Sequence, residues 1–331
     1  MIITKTPFRI SFIGGGSDLP AYYTKGKVGS VISTSIDRYM YIILKNHISS
    51  AHRLVYSKIE NADSTQNIEH PLVRESINYL EEILEKKLEY LELASFSDVP
   101  QTGVGLGSSS AYTVGLMHAL TKKYQIKKVT PEQLAEIACY IEIEKVGDPI
   151  EKQDQYASAL GGMNQFDFLP DGKVLVKPIT GISRQLKELE NSLLFFYTGK
   201  TRSASKILQV QSSAMQDEKK LKLTEKMAQL VPDFSAAMSA SDLNAMGKIL
   251  DENWSLKKDL TSNISDTDIS SAYDTAIAAG AIGGKLLGAG GGGYLMFLAP
   301  KSQHKKISNA LNKLKRESFK FESQGSVCHV L

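Results

Sequence analysis

Cysteine is nearly absent. The 331 residues hold two, Cys139 and Cys328, too few for a disulfide framework, so a reducing compartment is expected. Long apolar runs are missing as well. The opening Met1-Ile2-Ile3-Thr4-Lys5-Thr6-Pro7 has no apolar core of the kind a secretory leader carries. Nothing approaches the length that crosses a bilayer; Leu193-Leu194-Phe195-Phe196 suits a buried strand instead. The six histidines lack the paired spacing of a zinc site. Charge of one sign is also lacking: 39 basic residues against 36 acidic ones leave a net +3. A nucleic-acid surface concentrates basic residues on one face, and this balance argues against one. No repeat is present, and no low-complexity segment other than clusters of glycine. These absences lead to the expectation of a cytoplasmic protein with neither nucleic acid nor membrane as a partner.

What is present is the composition of a soluble globular chain, 42% hydrophobic and 23% charged. The length fits two domains, and a rise in polar, helical composition places the boundary near Gly181, giving 1–180 and 181–331. In the first part, Phe8 to Ile13 and Val28 to Leu44 read as strands. Leu72 to Glu89 reads as an amphipathic helix with Leu72, Ile77, Leu80, Ile83, Leu84 and Leu88 near one face. Ala111 to Leu120 has helical periodicity. Thr130, Pro131 and Gln133 spell a helix start with a capping box, and Gly147 and Pro149 stop that helix. A turn at Asp171-Gly172 precedes the helical stretch Leu186 to Leu260. The end reads as helix (Asp266 to Ala279), strand, glycine loop, strand, helix (Ser302 to Arg316), strand.

Three places carry chemistry. Gly103-Val104-Gly105-Leu106-Gly107 followed by Ser108-Ser109-Ser110 opens a helix. Glycines let backbone approach an anion, and the helix start aims N–H groups and a positive dipole end at it; the hydroxyls add donors, one of which could reach a metal. A tight serine-capped turn has the same composition. Neither of two well-known phosphate motifs fits. Gly199-Lys200-Thr201 lacks the upstream glycine of a Walker loop, since position 194 is leucine. A dinucleotide fingerprint fails at Ser108 and lacks an acidic partner around Thr121 to Tyr124. The second place, Gly288-Ala289-Gly290-Gly291-Gly292-Gly293, holds more glycine than a hairpin needs, which implies that something approaches its backbone closely. The third is Pro7-Phe8-Arg9-Ile10-Ser11-Phe12-Ile13-Gly14-Gly15-Gly16-Ser17-Asp18. Arg9 in an apolar strand is either a stray charge or a paired one; Asp18 is either a helix cap or a ligand for hydroxyl groups.

Together, in this order and spacing, Pro7 to Asp18, Gly103 to Ala111 and Lys285 to Gly293 resemble the GHMP kinases, the family of galactokinase, homoserine kinase, mevalonate kinase and phosphomevalonate kinase. The resemblance spans nearly the whole chain. It implies an α+β fold, with an N-terminal domain like the second domain of ribosomal protein S5 and a ferredoxin-like C-terminal domain. It implies ATP and Mg2+ as cofactors, with Gly103, Gly105, Gly107, Ser108, Ser109 and Ser110 holding the phosphates. Ser109 and a glutamate would hold the metal. Helical angles do not choose between Glu142 and Glu144; the family's glutamate precedes a glycine by five positions, as Glu142 precedes Gly147. The catalytic carboxylate would be Asp154, facing the attacking hydroxyl. A helix N-cap is the plainer role for an aspartate there. Arg9 matches the basic residue that pairs with this aspartate, and a nearby cation is expected to lower its pKa. Glu151 departs from the small residue, often glycine, that many relatives carry.

The opening resembles the sugar 1-kinase branch, which assigns Gly15, Gly16, Ser17 and Asp18 to the sugar, with Gly290 and Gly291 beside them. Lys152 to Ala157 and Tyr197 to Ala204 resemble, more narrowly, kinases of a heptose 7-phosphate. Such a substrate needs a second anion site, for which Arg202 is the first candidate and Lys206 the second; either is equally well read as a solvated helix charge. L-fucokinase-like and galactokinase-like activities are the alternatives within the class. A ligand sensor without turnover is the alternative outside it, opposed by the intact set Arg9, Ser109, Glu142 and Asp154. An RNA-binding role for the S5-like half has no aromatic and basic platform behind it.

Overall fold

The computed structural model describes residues 1–99, 103–126, 128–261 and 264–331. Chain order is β1 (Ile2–Ile13), α1 (Pro20–Tyr23), β2 (Gly29–Asn46), β3 (His52–Val55), β4 (Ile59–Ala62), α2 (Pro71–Leu84), β5 (Leu91–Ser97), α3 (Ser108–Lys123), α4 (Pro131–Cys139), α5 (Gln153–Leu160), β6 (Met163–Phe168) and β7 (Val174–Pro178). Then come α6 (Ser183–Ser192), β8 (Leu193–Tyr197), α7 (Ala204–Ala214), α8 (Glu218–Ser239), α9 (Leu243–Lys258), α10 (Thr267–Ala278), β9 (Gly283–Leu286), β10 (Tyr294–Leu298), α11 (His304–Ala310), β11 (Lys315–Glu317) and β12 (Val327–Val330).

β1 is the spine of the first sheet, whose path is β12-β1-β2-β5-β3-β4, with β6 pairing β2 and β7. Phe8, Ile10 and Phe12 are fully buried, and the intervening Arg9 and Ser11 are each only 3% exposed. A strand covered on both faces shows no polar side to solvent, so the charge of Arg9 has to be met inside. α3 packs on this sheet, against β1 and β2. Almost every residue from Ser110 to Thr121 is buried, which is why that helix shows no amphipathic stripe. The Thr130 capping box is complete: Gln133 N donates to Thr130 Oγ1 at 3.2 Å and Thr130 N to Gln133 Oε1 at 2.9 Å.

The second sheet is antiparallel in the order β11-β8-β10-β9. In sequence rank that is fourth, first, third, second, the ferredoxin-like arrangement. Two expectations change here. The helix expected to reach Arg316 ends at Ala310, and Lys315–Glu317 is the edge strand β11 paired with β8; three charged residues carry no strand signal, and tertiary pairing decides. The division at residue 181 does not keep the chain end with the second sheet. β12 returns to pair with β1, Ile2 opposite Val330, and covers an edge that would otherwise stay open.

Candidate active site

The loop between β5 and α3 is built by its glycines. Gly103, Gly105 and Gly107 all have positive φ, between 73° and 82°, and Gly107 is the residue from which α3 starts. Room is the tighter constraint at Gly105, where a Cβ would lie 2.3 Å from the Leu287 carbonyl oxygen. The three glycines and Ser108, Ser109 and Ser110 line a cleft of about 510 Å3, so the free N–H groups of a 16-residue helix open onto it. A larger hollow of about 970 Å3 lies elsewhere, lined by Met1, Lys45, His118, Lys122 and Val330. It holds none of the carboxylates or glycines discussed here.

Arg9 and Asp154 meet at the cleft although 145 positions separate them. The guanidinium donates from Nε to Asp154 Oδ1 and from Nη2 to Oδ2, each at 2.6 Å, the strong bidentate geometry. Its third arm, Nη1, donates to the Gly105 carbonyl at 2.6 Å, and the Arg9 backbone N donates to Leu106 O at 3.0 Å. One side chain therefore ties the carboxylate to the glycine loop. Asp154 is not a helix cap, because it sits inside the first turn of α5, after the cap residue Lys152. Arg9 does pull its pKa down, as expected, but burial raises it more and Glu151 adds to the rise, so the net direction is upward.

Glu142 is fully buried in a π-helical turn, Tyr140–Lys145, that continues α4. The widened turn aims it at the loop: Ser110 Oγ donates to Glu142 Oε2 at 3.2 Å and Ser109 Oγ reaches the same oxygen at 3.4 Å. Among the described residues Oε1 has no hydrogen-bond partner, and burial pushes the carboxyl up to about 8 although the Thr113, Ser110 and Gln155 side chains pull it down. Glu144 faces outward, exposed. A buried carboxylate oxygen left open beside two hydroxyls fits a hard cation with oxygen ligands.

The family model for the GHMP kinases N-terminal domain matches residues 71–162, and that for the GHMP kinases C-terminal domain matches residues 234–317, together just over half of the chain. The chain belongs to the GHMP kinase family. It is a phosphotransferase with the GHMP kinase fold. It is 29% identical to a D-glycero-alpha-D-manno-heptose 7-phosphate kinase from Campylobacter jejuni, over 98% of this chain and 97% of that one. It is 27% identical to a galactokinase from Pyrococcus furiosus, over 94% and 92%. Among solved structures, a D-glycero-D-manno-heptose 1-phosphate kinase from Bacteroides thetaiotaomicron superimposes with a TM-score of 0.82 at 23% identity, covering 100% and 99% of the two chains.

The GHMP kinase cleft does not take in every expected residue. Gly290 and Gly291 do not line it. Gly291 N donates to Ile264 O at 2.8 Å, and a Cβ on Gly290 would press on Ile264 at 3.0 Å. The close approach expected at this loop is real, but its partners are protein backbone. Gly15, Gly16, Ser17 and Asp18 sit behind the cleft wall, all buried. Ser17 is tied to the Gly14 and Ser30 carbonyls. Asp18 is not the cap of α1, which begins after Leu19; it accepts from Gly16 N at 3.0 Å and, from a distant point in the chain, from the first N–H of α5, Gln153 N, at 3.3 Å. Its pKa is raised by burial and by the charges of Glu151 and Asp154. Arg202 lines the cleft, exposed, with its carbonyl pressed on Gly103. It therefore shares the phosphate loop's space. Lys206 is exposed and not among the lining residues.

Four polar residues were not anticipated. Gly15 marks a point with Gln153 Nε2, Lys257 Nζ and Ser11 Oγ all within 4 Å of where its Cβ would be. Lys257 and Lys285 are buried lysines, donating to Gly288 O at 2.8 Å and Phe12 O at 3.2 Å. Among the described residues Ser11 Oγ and Gln153 Oε1 have no hydrogen-bond partner. Lys285, a lysine inside the apolar strand β9, was the one detectable signal; Lys257 looks like any other helix charge.

Proposed function

We propose that the chain transfers the γ-phosphoryl group of ATP to the anomeric hydroxyl of D-glycero-D-manno-heptose 7-phosphate, giving the 1,7-bisphosphate for nucleotide-activated heptose and surface polysaccharide. The observation that carries the sugar is the likeness to the Campylobacter jejuni heptose 7-phosphate kinase along nearly the full length of both chains. The chemistry rests on the cleft. Gly103 to Ser110 supply backbone and hydroxyl donors for the polyphosphate. Asp154 takes the proton of the acceptor hydroxyl as its oxygen bonds to the γ-phosphorus and ADP leaves. Arg9 holds that carboxylate in place and opposes the rise in its pKa. Ser109 and Glu142 would hold Mg2+, which neutralises phosphate charge when bound. Among the described residues no helix is long and apolar enough to cross a membrane.

A second reading, a kinase of free hexoses, is favoured by the galactokinase match over 94% of the chain. A coupled ADP-release assay separates them, comparing the heptose 7-phosphate with free heptose, galactose and L-fucose. Strong preference for the phosphorylated heptose is expected. Equal use of free and phosphorylated sugar would replace the first reading with the second.

A further inference from the structure

The cleft wall beside Asp154 carries a carboxylate that this chemistry does not use. Glu151 is 5% exposed and lines the cleft with Asp154 and Arg9. Among the described residues its Oε1 has no hydrogen-bond partner. A carboxyl oxygen buried without a hydrogen bond destabilises the fold unless a ligand supplies one. Lys285 is buried within electrostatic reach of Glu151, but burial holds its pKa well below the usual lysine range, and the hydrogen bond it makes is to Phe12 O at 3.2 Å. Gln153 Oε1, 1% exposed, is open in the same way. With Asp154 and Asp18 close by, this wall presents carboxyl and amide acceptors, which suit O–H donors.

We propose that Glu151 is a specificity-determining residue whose open carboxylate oxygen accepts a hydrogen bond from a second sugar hydroxyl, distinct from the one that Asp154 faces. The hydroxylated end of the substrate then lies against Glu151, and any phosphate on the sugar points away from it. This rests on the sugar-kinase reading above.

The test pairs variants with substrate analogues. The best sugar from the screen and its monodeoxy series are assayed with native enzyme, Glu151→Ala and Glu151→Gln. In the native enzyme one deoxy analogue should lose about tenfold to a hundredfold in kcat/KM, the range of a hydrogen bond to a charged group. Glu151→Ala should lose a similar factor on the parent sugar and treat parent and that analogue alike, with KM for ATP within about twofold. Glu151→Gln keeps the shape and should retain part of the discrimination; it carries the test if the alanine variant fails to fold. A full deoxy penalty at every position in both variants would overturn the assignment, as would a KM for ATP that rises in step with that for the sugar. A native enzyme that turns over no sugar overturns the sugar-kinase reading itself, and this assignment with it.

Discussion

Two glycine-rich loops press backbone against backbone, but only the first runs into a helix N-terminus at the cleft. In Gly103 to Gly107, the glycines shape a concave wall that ends in a helix N-terminus, and the wall faces the cleft. In Gly288 to Gly293, most glycines face protein. A Cβ on Gly288 would lie 2.5 Å from the Gly105 Cα, and one on Gly293 would lie 2.2 Å from Val104 O. The second loop is a mould for the first. Glycine is needed in both for close backbone approach, but composition does not say whether the visitor is a ligand or the rest of the chain. Changes at the cleft should therefore remove turnover and leave stability, whereas changes in the mould should remove stability and carry the phosphate loop with it.

The largest effect is expected from Asp154→Asn, at the cleft. Turnover should fall about a hundredfold to ten-thousandfold, the range for a lost general base, with ATP affinity within about twofold by equilibrium binding. Activity retained within about threefold would take Asp154 out of the mechanism. Next comes Glu142→Ala, which should raise the Mg2+ concentration needed for half-maximal rate by about tenfold or more, the scale of losing a charged contact. Glu144→Ala, on the outside of the same turn, should be mild. The reverse pattern in a magnesium titration would move the metal away from the serines of α3.

Glu142 and Glu144 also show where the sequence stops being legible. Angles of an α-helix do not apply across the π-turn Tyr140–Lys145, so periodicity had no means of choosing. The Thr130 cap was legible because all of its parts lie within four residues. The Arg9–Asp154 pair was not, because no local signal links residues 145 apart; only the resemblance joined them. The direction of the Asp154 shift was misjudged for a related reason: a partner can be inferred from a motif, whereas burial depends on the assembled fold. β12 was missed as part of the first sheet because pairing of the chain's two ends leaves no trace in either segment.

Arg202→Ala sharpens the comparison from the cleft side. With a phosphorylated sugar as substrate, its KM should rise about tenfold to a hundredfold, the range for a lost charged hydrogen-bond pair, and KM for ATP should change little. The carbonyl of Arg202 rests on Gly103, so the nucleotide is the competing partner. A rise confined to ATP would assign the guanidinium to the polyphosphate and leave the sugar phosphate to be held elsewhere. An unphosphorylated heptose should be insensitive to the substitution.

The smallest effect on turnover, and the most direct probe of the mould, comes from a pair of glycine-to-alanine changes. Gly147 and Gly293 both have positive φ, 80° and 101°, so each alanine carries backbone strain on the order of 1–3 kcal/mol. At Gly147 no heavy atom of the described residues lies within 4 Å of the new Cβ, and strain is the whole effect. At Gly293 the methyl group would stand 2.2 Å from Val104 O. Either β10 or the phosphate loop has to move, and Val104 lies between two of the glycines that line the cleft. Urea unfolding should therefore show Gly293→Ala destabilised by more than Gly147→Ala, by about 1–3 kcal/mol as for other overpacked sites. Its KM for ATP should rise several-fold, and kcat at saturating ATP should fall less than in Asp154→Asn. If both variants lost the same stability and neither altered ATP use, the two loops would not be pressed together in solution. A Gly293→Ala enzyme with native stability and lost turnover would place that glycine, too, on the ligand's side.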